Sequence, residues 1–302
     1  MKYPKEYLEE IKQRLKVSQV VGKSVKLKKR GKEFIGLSPF SNEKTPSFTV
    51  NDEKGFYHCF STAEHGNIFD FLMKTKNYKF GEAVRALASD AGMQPYRFSK
   101  QDEEKQNRWK VYNLILEKYA NLCTDELSSG KYPEIIKYLD ERKITKKEII
   151  FFKIGYAPTK SDFYDLLKKE FKEDQINSSG IFYLDEIKKI YIDRFRGRII
   201  FPVKNINNSI FALGGRSLSK KSFAKYINSP ETEFYKKGNN LYNINFAKNC
   251  RNQAEQIFVV EGYMDVITLH KFGIENVVAN LGTAMTERQL DLIWRFFKNP
   301  II

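Results

Sequence analysis

The sequence contains few cysteines and no long apolar run, and each absence excludes a class of protein. Its 302 residues include only three cysteines, Cys59, Cys123 and Cys250. An odd number of widely spaced cysteines is untypical of a disulfide-stabilised secreted protein and favours a reducing cytoplasm. The apolar runs fall far short of the roughly 20 residues that a membrane-spanning helix needs. The charged N-terminus also has no apolar signal-peptide core, so we expect a cytoplasmic protein without a membrane partner.

Positive charge predominates in the composition. The chain has 52 lysines and arginines against 37 aspartates and glutamates, which gives a formal net charge of +15. Such an excess favours a polyanionic partner, because cations that neutralise phosphates release bound counterions. The alternative is a lysine-rich composition that only solvates the surface. With 41% hydrophobic residues, the chain is long enough for two domains or slightly more.

The clearest local pattern is an apolar run that ends in a carboxylate. Residues 257–260, Ile-Phe-Val-Val, predict a short strand buried on both faces, as in a parallel sheet. Glu261 follows at the carboxyl end of this strand, where open α/β sheets bind their ligands. Gly262 would permit a sharp turn or the close approach of a phosphate or metal. The alternative is an acidic residue in an ordinary strand-to-helix turn.

Two more strands are predicted after this one. Residues 276–280 predict a second strand, and 282–286 predict a turn that ends in a helix N-cap. A helix over 287–297 and the first residues of a third strand at 300–302 follow. The β-α-β-α-β order predicts a parallel sheet with right-handed crossovers.

The motifs VEGYMDV and LGTAMT resemble the Toprim module of bacterial DNA primases of the DnaG type. The resemblance implies that Glu261 helps to hold magnesium or manganese, with Asp265 nearby as a second catalytic residue. In that family an Asp-x-Asp pair on the third strand completes the metal site, and here we expect it beyond Ile302. We therefore expect little or no activity from residues 1–302 alone.

Residues 1–96 contain short β-like runs separated by turns, which predict a small antiparallel sheet of hairpins. The segment GFYHCFSTAEHGNIFDFLM resembles the zinc ribbon at the N-terminus of the same primases. The family's four zinc-ligand positions correspond here to Ser38, Ser41, Cys59 and Thr62. Because hydroxyls are poor zinc donors, we do not expect zinc binding, although His58 or His65 could substitute in principle.

Without zinc, aromatic packing has to hold this ribbon together. The aromatic residues expected in its core are Phe34, Phe40, Phe48, Phe56, Tyr57, Phe60 and Phe69. Basic side chains beside aromatics on a sheet suit single-stranded nucleic acid, so we expect Arg30 and one or two lysines to contact template.

A polar segment at residues 97–107 predicts a linker, followed by a helix from about Arg108 to Leu127. The resemblance continues through a basic subdomain at 108–240 and a partial Toprim subdomain at 241–302. It implies template or nucleotide contacts for Arg142, Arg194, Arg198, Arg216, Lys225 and Lys237. For Arg194 the alternative is that either it or Arg196 pairs with Asp193.

The predicted fold class is α+β and α/β: a small antiparallel ribbon-like domain, then a mixed α/β core ending in part of a parallel sheet. The function implied by the resemblance is DNA primase, which makes short RNA primers from ribonucleoside triphosphates on single-stranded DNA. A replicative helicase is an expected partner through a region further C-terminal, and the nucleoid is the expected location. The alternative is a non-catalytic single-strand-binding protein derived from a primase. The Toprim module also occurs in topoisomerases and nucleases, but these do not combine it with this ribbon and this basic subdomain.

Overall fold

The computed structural model describes residues 3–219, 222–252, 254–282 and 284–302. The chain divides into two compact units, Met1–Glu103 and Glu104–Ile302. None of the helices in these described ranges is both long and apolar enough to cross a membrane.

The first unit is a five-stranded antiparallel sheet with two helices before it and two after it. In chain order its elements are α1 (Lys5–Arg14), α2 (Val17–Gly22), β1 (Lys28–Arg30), β2 (Glu33–Gly36), β3 (Phe48–Asn51), β4 (Phe56–Cys59), β5 (His65–Gly66), α3 (Ile68–Thr75) and α4 (Phe80–Asp90). Each strand pairs with the next in sequence, so the order is β1-β2-β3-β4-β5. The predicted sheet of hairpins is therefore confirmed.

Alternation along β3 and β4 decides which aromatics of the first unit are buried. Phe48 and Tyr57 point to the same face, where their rings stack at 5.3 Å and are fully buried. Phe56 and Phe60 point away from this core, and Phe60 is 69% exposed. The prediction that both of these phenylalanines pack in the core is wrong, because successive strand residues face opposite sides of the sheet.

The second unit begins within a long helix, α5 (Lys100–Ser128). Its next elements are α6 (Pro133–Glu141), α7 (Lys146–Phe152), β6 (Gly155–Ala157), α8 (Phe163–Lys168), α9 (Glu173–Ser178), β7 (Phe182–Asp185), β8 (Ile190–Asp193), β9 (Arg198–Lys204), β10 (Ile210–Ser217) and β11 (Tyr226–Asn228). Two 3₁₀ turns follow, Lys237–Asn239 and Lys248–Asn252, with the short helix α10 (Ile244–Ala247) between them. The remaining elements are β12 (Gln256–Val260), α11 (Tyr263–Lys271), β13 (Val277–Ala279), α12 (Glu287–Trp294) and β14 (Asn299–Ile301).

Two main sheets form this unit. The first has the antiparallel order β11-β10-β9-β6, and the second has the order β13-β12-β14 with parallel pairing. The β12-α11-β13-α12-β14 connection confirms the predicted parallel sheet. Thr286 caps α12 by accepting a hydrogen bond from the Gln289 backbone N–H, as the turn predicts. Thr283, in the same predicted turn, lies outside the described residues.

The helix α5 starts at Lys100, eight residues before the predicted start at about Arg108. The expected linker at 97–107 is therefore largely helical, although the division into two compact units falls inside it. Polar composition indicated a boundary there, but charged residues such as those at 102–105 are also compatible with an exposed helix. The expected subdomains 108–240 and 241–302 share one core, in which Tyr112 of α5 and Val266 of α11 belong to the same buried cluster.

Candidate active site

Glu261 lies at the turn between β12 and α11 and lines a pocket of about 360 Å³. It is exposed, and its carboxylate makes no hydrogen bond or ion pair with any described residue. Asp265, one turn into α11, lines the same pocket, but its Oδ2 accepts a hydrogen bond from the Gly262 backbone N–H at 3.1 Å. Asp265 therefore caps the helix, whereas Glu261 is available to a ligand.

Three predicted cations line the same pocket from other parts of the unit. Arg142 is the C-cap of α6, Arg216 lies on β10, and Lys225 directly precedes β11. Among the described residues none of the three side chains has an ion pair, and Arg142 and Lys225 are exposed. The tertiary structure thus brings two carboxylates and three cations together across more than 120 residues of sequence.

Arg216 differs from the other two because it is buried, with 5% exposure. Its guanidinium carbon lies 4.4 Å from the centroid of the Tyr138 ring and 5.4 Å from that of Tyr226. Its Nε is buried without a hydrogen-bond partner among the described residues. A buried charge without a partner is costly, so this arrangement is typical of a residue that binds an anionic ligand.

The position of the parallel sheet and α11 relative to the antiparallel sheet depends on contacts that sequence analysis did not identify. A Cβ on Gly214 would lie 2.4 Å from the Tyr263 ring, so only glycine permits α11 to approach β10 this closely. The Tyr263 hydroxyl donates to Asn228 Oδ1, and Asn228 Nδ2 donates to the Leu281 carbonyl at 2.9 Å. Paired glycines inside the predicted strand at ALGGRS were the available signal of a close approach. No local sequence pattern indicated that Asn228 would connect Tyr263 to Leu281.

Arg194 and Arg198 line a different cleft, of about 770 Å³, which also includes Arg196. Residues on β10 alternate between its faces: a Cβ on Gly214 would meet Tyr263, whereas one on Gly215 would meet Phe195 and Arg198. Arg216 and Arg198 therefore lie on opposite faces of the antiparallel sheet.

The arginines of this second cleft already have partners within the protein. Arg198 donates to the Ala224 carbonyl at 2.9 Å and to Ser222 Oγ at 3.0 Å, and burial lowers its pKa. Arg194 donates to the Gly180 carbonyl at 3.0 Å, and no ion pair with Asp193 is formed. Instead, Asp193 accepts from Tyr119, and burial raises the pKa of this aspartate to about 6.

The remaining two predicted cations lie outside both clefts. Lys237 begins a 3₁₀ turn, and its backbone N–H donates to Glu231 at 3.1 Å. Arg30, in the first unit, is exposed at the end of β1 opposite Glu33.

Three family models match consecutive segments of the chain. The CHC2 zinc finger matches residues 3–105, the N-terminal domain of the DNA primase catalytic core matches 122–248, and the Toprim domain matches 255–302. A curated DNA primase from Clostridium acetobutylicum is 40% identical over 295 residues, which cover 95% of this chain and 48% of that protein. The chain belongs to the DNA primase family. It spans about half the length of the curated primases it matches.

Solved primase structures have the same fold. The zinc-binding and RNA polymerase domains of the Aquifex aeolicus primase superpose with a TM-score of 0.60 at 27% identity, covering 97% of this chain and 71% of that one. A DnaG primase catalytic domain bound to single-stranded DNA gives a TM-score of 0.58 at 29% identity, covering 65% of this chain and 61% of that one. The predicted fold class and family are therefore confirmed.

The primase match includes the zinc finger, which counts against our expectation that this chain does not bind zinc. The residues at the ligand positions nevertheless fit zinc poorly. Cys59 Sγ lies 3.2 Å from Ser38 Oγ and 3.3 Å from Ser61 Oγ in hydrogen bonds. Burial alone raises the pKa of this thiol, but hydrogen bonds with the hydroxyls of Ser38, Ser61 and Thr62 lower it to about 6.

The two nearby histidines do not complete a zinc site. His58 and His65 form a cross-strand pair, with ring centroids 6.0 Å apart, on the face of the sheet opposite Cys59. No group of three or more His, Cys, Asp or Glu side chains that could hold a metal ion occurs in the described part of the chain.

Proposed function

We propose that this chain supplies the template-binding and nucleotide-binding face of a DNA primase, which joins ribonucleoside triphosphates into short RNA primers on single-stranded DNA. The observation that carries the proposal is the pocket that Arg142, Arg216 and Lys225 line together with Glu261. Phosphoryl transfer depends mainly on positioning and on neutralising charge, and this pocket offers both signs of charge. The single-stranded DNA bound to a related primase domain supports the same substrate class.

Glu261 and Asp265 would hold a magnesium or manganese ion. Magnesium prefers one or two carboxylates together with waters and substrate phosphates, which fits two exposed carboxylates in an open pocket. Such an ion, when bound, neutralises developing charge on the phosphates. The chain's own contribution is to hold the Glu261 carboxylate at the end of a central strand, without a partner among the residues that the structure describes.

The cations divide into a principal and a peripheral set. Arg142, Arg216 and Lys225 contact phosphates of the template or the incoming nucleotide directly, because they line the pocket with Glu261. The peripheral set makes weaker template contacts or shapes the site: Arg30, Arg194, Arg198 and Lys237. A replicative helicase stays a predicted partner, to be tested by co-purification with the full-length natural protein.

The test uses the full-length natural protein and the change Glu261→Gln, which removes the charge with little change in volume. Primer synthesis on a single-stranded template should be abolished, whereas affinity for that template should stay within about twofold, since the cations are intact. Glu275→Gln, an exposed glutamate outside the pocket, is the matched control. Near-normal synthesis by Glu261→Gln would exclude Glu261 as a metal ligand. Template binding without any primer synthesis by the wild-type protein would instead support the alternative, a non-catalytic single-strand-binding protein.

We further propose that hydrogen bonds take over the role of zinc in the first unit. The Glu43 carboxylate accepts from the Ser38 N–H at 2.7 Å, the Ser47 N–H at 3.1 Å and Ser47 Oγ at 2.6 Å. These bonds tie together the two ends of the 38–47 segment beside Cys59. The 1–302 chain should contain well under one zinc by elemental analysis, and a strong chelator should leave its thermal midpoint unchanged. One tightly held zinc per chain, with a chelator-sensitive midpoint, would contradict this proposal.

A further inference from the structure

The pocket contains a pair of arginines that share one aromatic ring. Arg142 and Tyr138 are four residues apart at the end of α6, and the Arg142 guanidinium carbon lies 5.7 Å from the Tyr138 ring centroid. Arg216 reaches the same ring from β10 at 4.4 Å. Two like charges therefore meet at Tyr138 although no carboxylate among the described residues pairs with either of them.

The Tyr138 ring is the group that makes this meeting tolerable. The face of an aromatic ring carries partial negative charge and attracts guanidinium groups, most strongly where water is excluded, as around buried Arg216. A carboxylate in the same place would occupy the N–H groups of both arginines. The ring contact instead uses no carboxylate or carbonyl acceptor, and so it leaves N–H groups of both arginines for a ligand.

The Tyr138 hydroxyl contributes little to this arrangement. Its oxygen is buried without a hydrogen-bond partner among the described residues. The aromatic ring, and not the hydroxyl group, is therefore the part of Tyr138 that contacts the arginines. The change Tyr138→Phe, which keeps the ring and removes only the hydroxyl, is a suitable conservative variant.

We propose that Tyr138 is a positioning residue for phosphate binding: its ring holds Arg142 and Arg216 side by side so that together they bind one phosphate group of a nucleic-acid strand or of a nucleoside triphosphate. The inference rests on the proposed function and adds to it a residue that touches neither metal nor substrate. The ring centroid of Tyr226, a residue that is 40% exposed, lies 5.4 Å from the Arg216 guanidinium carbon, and we assign this ring a secondary role.

The experiment compares Tyr138→Leu with Tyr138→Phe in the 1–302 chain. The ligands are a labelled oligothymidylate and, in a separate arm, ATP with magnesium. Tyr138→Leu should weaken binding about tenfold, as expected when one charge-assisted phosphate contact is misplaced, and should flatten the salt dependence by about one unit. Tyr138→Phe should restore wild-type affinity and salt dependence. The arm in which the loss appears identifies the phosphate source.

A second comparison separates positioning from general stability. In a background of Arg142→Ala with Arg216→Ala, Tyr138→Leu should cause no further loss of affinity, because the groups it positions are absent. An equal loss in that background, or equal affinities for the Leu and Phe variants in both ligand arms, would overturn the inference while the proposed function stands. Absence of binding by the wild-type chain in both arms would remove the proposed function, and the inference with it.

Discussion

The two arginine clefts on opposite faces of the antiparallel sheet contain similar residues in different states. In one, Arg198 donates to the Ala224 carbonyl and Ser222 Oγ, so its charge is used to hold the loop before β11. In the other, Arg216 is more deeply buried and lies beside the rings of Tyr138 and Tyr226, and its Nε–H finds no acceptor among the described residues. The larger cleft thus contains an arginine whose N–H groups are bonded within the protein. The smaller cleft contains an arginine whose side chain forms no hydrogen bond or ion pair with any described residue.

The same distinction applies to two glutamates. Glu43 accepts three hydrogen bonds within the first unit, whereas Glu261 accepts none from the described residues. A charged group whose hydrogen bonds are satisfied internally builds structure, and one held without partners at a pocket is available for binding. We therefore expect the hydrogen-bond partners of the charged groups, and not the volume or residue types of a cleft, to indicate which cleft binds the ligand.

The largest expected effect is that of Arg216→Ala on DNA binding. Loss of a charge-assisted contact to phosphate should weaken the affinity of the 1–302 chain for single-stranded DNA by about tenfold to a hundredfold. The thermal midpoint should stay the same or rise, because an unpaired buried charge is removed. Arg288→Ala, an exposed arginine on α12, is the control. A large fall in stability with unchanged affinity would reverse the comparison between the two clefts.

Arg198→Ala should show the opposite balance. Removing its bonds to the loop should lower the free energy of unfolding by about 1–3 kcal/mol, measured by urea denaturation. Affinity for DNA should fall only severalfold, through displacement of Lys225, so the fall should largely disappear in a Lys225→Ala background. If the fall in affinity exceeds that of Arg216→Ala and persists without Lys225, Arg198 contacts DNA itself.

Glu43 should give the chain a pH-dependent contribution to stability. Hydrogen bonds from Ser47, Ser38 and Ser61 lower the pKa of its carboxyl to about 2, below the ordinary glutamate value of 4.5. A depressed folded-state pKa means stabilisation that is complete above about pH 4.5 and is lost as the pH falls toward 2. The thermal midpoint of the wild type should therefore approach that of Glu43→Gln across this range. Parallel pH profiles would show that Glu43 makes no such contribution.

The smallest expected effect is that of Lys237→Ala. Its side chain lines neither cleft, and its backbone N–H bonds to Glu231, so the lysine makes at most a screened surface contribution. Affinity for DNA should fall by about twofold, with a change of well under one unit in salt dependence. Gel-shift or anisotropy titrations at several salt concentrations would measure both. A tenfold loss would place Lys237 with Arg216 in the principal set.

Local sequence patterns predicted the parts of the fold and site that depend on near neighbours in the chain. The apolar run 257–260 with Glu261 and Gly262 after it predicted a buried parallel strand and a carboxylate at its end, and β12 has that form. Hairpin spacing predicted the antiparallel sheet of the first unit. The start of α5 was missed because a polar segment is compatible with either a linker or an exposed helix.

Contacts between residues far apart in the chain were decided only by the tertiary structure. Sequence order placed Arg194, Arg198, Arg216 and Lys225 in one basic group, but alternation on β9 and β10 places Arg198 and Arg216 on opposite faces of the sheet. Tyr138 meets Arg216 across 78 positions, and Asn228 joins Tyr263 and Leu281. Periodicity determines which side of its own element a residue faces. Which other element lies on that side, and hence whether a charge finds a partner or remains free for a ligand, is set by packing of the whole unit.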